Sequence, residues 1–254
     1  MKIISLNTWG GRARKDDFLS FFASHANTTD VFCLQEVWSE SSQDLDAHIV
    51  PEGGHHIMFY ERQEIAAVLP NHIAYYRPNR QDKFGLLMMV HKKLAVVQEG
   101  EVVVYEHKKG DVFDGDVGNH VRNMQFVTLK GTSGPLTIMN VHGLWNSRGK
   151  MDCAERLEQS EKIIDFATHV HHPCIIAGDF SVLPDTASIK MFEDSGFRNL
   201  IKEYNILSTR TSYYSMPDKF SDYVFVTKDI TVTAFSVLPD EVSDHAPLLI
   251  EARY

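Results

Sequence analysis

Short runs of apolar, β-branched residues recur along the chain, at residues 2–6, 31–34, 86–90, 96–104, 123–129, 136–141, 174–177, 222–226, 230–238 and 248–252. Gly, Pro, Asp or Lys bounds most of them, and runs of this length with such boundaries predict strands. Helical spacing is rarer. Residues 15–25 place Phe18, Leu19, Phe21 and Phe22 on one apolar face. After Lys150, Asp152 stands as a candidate cap with Glu155 three residues on, and Leu157, Ile164 and Ala167 then recur at helical spacing until Pro173 stops the run. A third helix is expected after Pro184-Asp185, ending at Gly196. Many strands and few helices, with no repeat, linker or break in composition, predict one α+β domain over residues 1–254, with packed sheets inside and helices outside.

Composition narrows the class. Of 254 residues, 43% are hydrophobic and 11% aromatic, enough for a sizeable core and too many for a disordered chain. The net charge of −9 removes a basic footprint for nucleic acid as a whole-protein property. It leaves room for an enzyme acting on a polyanion through a bound cation, which then carries the local positive charge. Cys33, Cys153 and Cys174 are an odd set without CxxC spacing, so neither a disulfide framework nor a thiolate zinc site follows. No leader pattern or membrane span is visible, and the expectation is a soluble, cytoplasmic protein.

The chemistry gathers where apolar runs stop. Asn7, Glu36, His142, Asp179 and Asp222 each stand at a strand end, Ser181 follows two positions after Asp179, and Asp244-His245 precedes the last strand. One carboxylate at a strand end is most simply a solvated loop or a helix cap. Six such ends can converge on one rim, where crowded carboxylates need a cation. Oxygen donors without thiolates suit Mg²⁺ or Mn²⁺, with a phosphate as the remaining ligand.

In wording and order, Leu6-Asn7-Thr8-Trp9, Leu34-Gln35-Glu36, Asn140-Val141-His142, Gly178-Asp179-Phe180, Ser221-Asp222-Tyr223 and Ser243-Asp244-His245-Ala246-Pro247 resemble the endonuclease/exonuclease/phosphatase superfamily, with its deoxyribonuclease I-like fold. The resemblance implies a four-layer α/β/β/α sandwich of two mainly antiparallel sheets flanked by helices. It also implies a divalent-metal-dependent phosphoesterase, a phosphodiesterase first of all, acting on nucleic acid or a small diester. Glu36 would be the main metal ligand, with Asn7 and Asp244 beside it. Asp179 would hold the attacking water, His245 would meet the scissile phosphate or carry a proton with Asp222 orienting it, and His142 would stabilise the transition state. Two positions depart from the family: Ser181 replaces the usual Asn, and Trp9 stands where many DNA-cleaving members carry an acid. Asn7-Thr8-Trp9-Gly10 reads more like the sphingomyelinase-type branch, so a lipid phosphodiesterase or a small-molecule phosphatase is the alternative, and a binding protein that has lost catalysis is the rival of another class.

Weaker signals surround this set. Arg122, Arg148, Lys150 and Arg210 lie near the motif loops and could bind phosphate oxygens, although solvated loop cations are as good an account of each. Trp145 could stack on a planar group or pack at the rim. The acidic stretch 111–116 reads as a surface turn, and His169, His171 and His172 as a favourable helix end. No GxSxG elbow accompanies Ser243-Asp244-His245. No protein partner is inferred.

Overall fold

A computed structural model describes residues 1–40, 55–80, 83–106, 121–131, 134–146 and 148–254. The acidic stretch 111–116 lies outside them. Two six-stranded sheets form the centre. The first runs β11 (Thr231–Val237), β12 (Leu248–Arg253), β1 (Lys2–Asn7), β2 (Val31–Trp38), β4 (Phe84–His91) and β3 (His72–Arg80). The second runs β5 (Val96–Tyr105), β6 (Arg122–Lys130), β7 (Pro135–His142), β8 (Cys174–Asp179), β10 (Asp222–Val226) and the two-residue β9 (Arg198–Asn199). Five helices among the described residues flank them: α1 (Lys15–His25), α2 (Glu61–Val68), α3 (Ala154–His169), α4 (Ala187–Asp194) and α5 (Leu200–Glu203). This is the expected sandwich.

Alternation explains why the central strands read as continuous apolar runs. On β1, Ile3 faces the core shared with the second sheet, whereas Ile4 and Leu6 pack with Phe18, Phe21 and Phe22 of α1. Val31 and Cys33 against Phe32 and Leu34 repeat the pattern on β2. Both faces are buried, so polar alternation vanishes.

Each sheet holds one parallel pair, β1–β2 and β7–β8. A parallel pair needs a crossover, and α1 and α3 supply them. The carboxyl ends of all four strands therefore come to the same rim, each with a loop free to carry chemistry.

Two readings are corrected in detail. Asp152 does not cap the helix it precedes: Cys153 is the N-cap residue of α3 and makes no side-chain cap. Its carboxylate instead accepts from Ala187 N at 2.6 Å and Ser188 N at 3.0 Å, capping the distant α4. The strand β3 and the helix α2 were not expected. β3 is a sheet edge in which Arg77, Pro78 and Asn79 cut its apolar run down to Ile73-Ala74-Tyr75-Tyr76.

Candidate active site

Register sets the first layer of the site. Asn7 pairs with Gln35 across β1–β2, His142 with Asp179 across β7–β8, and Asp179 with Asp222 across β8–β10. Glu36 needs a further device. The β2–β4 register slips between Leu34 and Val37, and Glu36 has φ of 62°, a left-handed conformation unusual outside glycine. The bulge re-aims its side chain toward the rim. Asn7 Nδ2 then donates to Glu36 Oε1 at 3.1 Å and to Asp179 Oδ2 at 2.9 Å, joining the two sheets at the floor of the site. The Asn7 oxygen accepts from Trp9 N at 3.0 Å.

Glycine at 178 lets β8 end flush against β7. Its φ is 147°, and a Cβ there would stand 2.0 Å from the Val141 carbonyl oxygen. Beyond it, Asp179 Oδ1 accepts from Ser181 N at 2.7 Å, Ser181 Oγ at 3.2 Å and Ser221 Oγ at 2.6 Å. Burial alone would raise this carboxyl; the positive charges at His245 and Arg210 and the Ser221 hydroxyl hold it far below the usual carboxylate range. A carboxylate so satisfied is a weak base. It can orient water better than it can take a proton.

The two histidines differ. His245 is buried, and its Nδ1 lies 2.9 Å from both oxygens of Asp222. Burial and the Arg210 charge oppose the cation, but Asp222, Asp244 and Asp179 outweigh them and raise its pKa. Its Nε2 faces the cavity, 3.8 Å from Asp179 Oδ2 and from Asp244 Oδ1. His142 is equally buried with Arg122 Nη1 3.1 Å from its Nδ1. Desolvation and that guanidinium drive its pKa well down, so its 3.5 Å approach to Glu36 is a contact of a neutral ring and not an ion pair. Arg122 Nη1 is nearer Nδ1 than Nε2, which it approaches to 3.4 Å, and an Nδ1 that accepts from arginine leaves the proton on Nε2, 3.5 Å from Glu36 Oε1.

Asp244 is held by a guanidinium: Arg210 Nη1 donates to its Oδ2 at 2.9 Å. Its Oδ1 accepts a long bond from Ser243 Oγ at 3.4 Å and lies 3.8 Å from His245 Nε2. Arg122 lies behind His142 and acts through it. Arg148 is exposed, its N–H tied to Asn146 Oδ1, and Trp145 is 42% exposed, a rim position open to a substrate's planar group. His172 hydrogen-bonds Thr137 at 2.7 Å, away from the site. Sequence reasoning gave no role to Ser221, which is visible only inside its motif, or to Glu61, a lone acid with no motif around it.

The fit to a cation can be read from the donors. Glu36, Asp179 and His142 offer ligand atoms within 4.8 Å of one another, as do Asp179, Asp222 and His245. Two carboxylates at one locus with an imidazole and no thiolate suit a hard divalent ion.

Known proteins agree with this architecture. The family model described as the Endonuclease/Exonuclease/phosphatase family matches residues 4–245, and the chain belongs to that family. Its members are phosphoesterases, typically dependent on a divalent metal. Among solved structures, the mannosyl-6-phosphatase of Bacteroides thetaiotaomicron is similar over 100% of both chains, at 18% identity and a TM-score of 0.70. D. rerio TDP2 complexed with a single-strand DNA product is similar over 100% of this chain and 99% of its own, at 14% identity and a TM-score of 0.70. A functionally unknown conserved protein of Enterococcus faecalis matches at 17% identity over 100% and 99%, with a TM-score of 0.69. These likenesses speak for the fold. No curated protein sequence matches the chain. Among the described residues no helix is long and apolar enough to cross a membrane.

Proposed function

We propose that this protein hydrolyses the P–O bond of phosphate esters by attack of a positioned water. The observation that supports this best is the meeting of Asn7, Glu36 and, from the loop between β11 and β12, His245 of one sheet with His142, Asp179 and Asp222 of the other. A catalytically silent binding protein has no need of that set. Glu36, with Asn7 Oδ1 and Asp244 Oδ1, would hold Mg²⁺ or Mn²⁺. The ion, when bound, supplies Lewis-acid neutralisation of the phosphate charge.

The chain's own groups divide the remaining work. Asp179, kept ionised, accepts from a water and aims it at phosphorus. His245, held by Asp222 with its charged form favoured, donates from Nε2 to a phosphate or leaving oxygen. His142 offers a neutral Nε2–H to the charge that builds on the equatorial oxygens. The substrates in view from the sequence are a nucleic-acid or small diester first, then a lipid diester or a small monoester.

The test is hydrolysis of a chromogenic ester panel. Excess chelator should abolish it, Mg²⁺ or Mn²⁺ should restore it, and Glu36→Ala should lose the response. Full activity in excess chelator would overturn the reading.

A further inference from the structure

Two cations stand beside the site that touch no substrate in that scheme, although one of them also holds Asp244. Arg210 keeps only 8% of its side chain exposed. Its guanidinium lies 3.9 Å from the ring centre of Tyr214, one nitrogen is given to Asp244, and Nε is buried with no hydrogen-bond partner. Lys150, also buried, approaches the same ring to 5.0 Å and gives its Nζ to the Phe220 carbonyl at 3.0 Å. Burial and the Arg210 charge both work against the ammonium, and the carboxylates of Asp179 and Asp222 support it. Arg210 thus meets the reaction centre through Asp244, and Lys150 meets Arg210 on the Tyr214 ring. Two like charges held out of water on one ring repel, and Asp244 offsets one of them at hydrogen-bond distance. Such a pair is costly unless an anion joins it.

We propose that Lys150 and Arg210, on the Tyr214 ring, form an oxyanion subsite for the third non-bridging oxygen of a terminal phosphoryl group, so that the substrate is a phosphate monoester. This rests on the phosphoesterase reading and deepens it. A monoester carries three non-bridging oxygens and two negative charges near neutral pH; a diester carries two oxygens and one charge. The place of the third oxygen is where a diester bears its second alcohol. An ester substituent there would lie against a desolvated ammonium and an unpartnered N–H without satisfying either, whereas an oxygen anion satisfies both.

The experiment compares 4-nitrophenyl phosphate with bis(4-nitrophenyl) phosphate, which share a leaving group, in wild type, Lys150→Met and Arg210→Gln. Wild type should favour the monoester. Lys150→Met should lose roughly 10- to 100-fold in kcat/KM on the monoester, the scale of one hydrogen bond to a charged group, and much less on the diester; Arg210→Gln, which also releases Asp244, should lose on both esters and more on the monoester. Titration of inorganic phosphate by calorimetry in metal-free buffer gives a second readout, with binding expected in wild type and weakened in both variants. Thermal melts identify a variant that has failed to fold, and the other then decides. Preference for the diester, or equal losses on both esters, would overturn the inference. Absence of hydrolysis of either ester by wild type with Mg²⁺ or Mn²⁺ would sink the phosphoesterase reading instead, and phosphate binding would still decide the subsite.

Discussion

At the scale of single residues, Ser181 shows what the sequence could and could not reveal. Its departure from the family's Asn was legible. Its backbone was not: φ is 55°, in the left-handed region where Asn is several-fold enriched and where other side chains cost about 1–2 kcal/mol. Asn at this position thus answers a backbone demand as well as a chemical one. The N–H of residue 181 reaches Asp179 at 2.7 Å whatever the side chain, while the serine hydroxyl adds a longer 3.2 Å bond. Ser181→Asn is expected to raise the melting temperature and keep activity. Ser181→Ala should lose no more than about tenfold, or ~1.4 kcal/mol, where Asp179→Ala is near-inactive. Parallel melts and rates on one substrate check both; a loss in Ser181→Ala as deep as in Asp179→Ala would make the hydroxyl a principal catalytic group. Arg122 teaches the converse. Its nearness to the site was legible, but only the fold shows it behind His142.

At the scale of elements, most strands were legible because an apolar run is a local property. The bulge that turns Glu36 was not, since it depends on what packs beneath it. That partner is Glu61 at the start of α2, fully buried, with Oε2 accepting from Trp38 N at 3.1 Å. Desolvation pushes its carboxyl from 4.5 up to about 8, against the Thr8 and Trp38 hydrogen bonds. The folded state thus binds the proton more tightly than the unfolded chain. Stability from this group is complete below about 4.5 and is lost as pH rises toward about 8. Glu61→Gln keeps an acceptor for Trp38 N and removes the charge. Its melting temperature should match wild type near pH 5 and exceed it at pH 8 and above. Parallel curves across that range would show that the carboxyl does not titrate this way.

At the scale of the whole molecule, convergence of strand ends on one rim was legible, but what aligns the two sheets was hidden inside the motifs. Gln35 and Asn140 each sit one or two residues before a site residue and face the interior. Gln35 Nε2 donates to Asn140 Oδ1 at 2.6 Å, and Asn140 Nδ2 returns across the interface to the Leu34 carbonyl at 3.0 Å. Both side chains are fully buried. In this register the polar seam leaves only Gln35 Oε1 of the two amides without a partner, and a slip would strand the remaining groups as well. It thereby fixes Glu36, beside Gln35, against His142, two residues beyond Asn140. Removing Gln35 orphans Asn140 Oδ1, and removing Asn140 takes from Gln35 Nε2 its shortest bond and leaves it the Cys33 carbonyl, so Gln35→Met and Asn140→Leu should each cost about 1–3 kcal/mol in urea unfolding. Replacing both removes the orphan as well as the bond, and the double variant should lose less than the two single losses together. The double variant should still lose activity, because the apolar interface no longer specifies where Glu36 stands relative to His142. Strict additivity in the cycle would mean that apolar packing alone sets the register; full activity in the double variant would mean that the seam does not place the site.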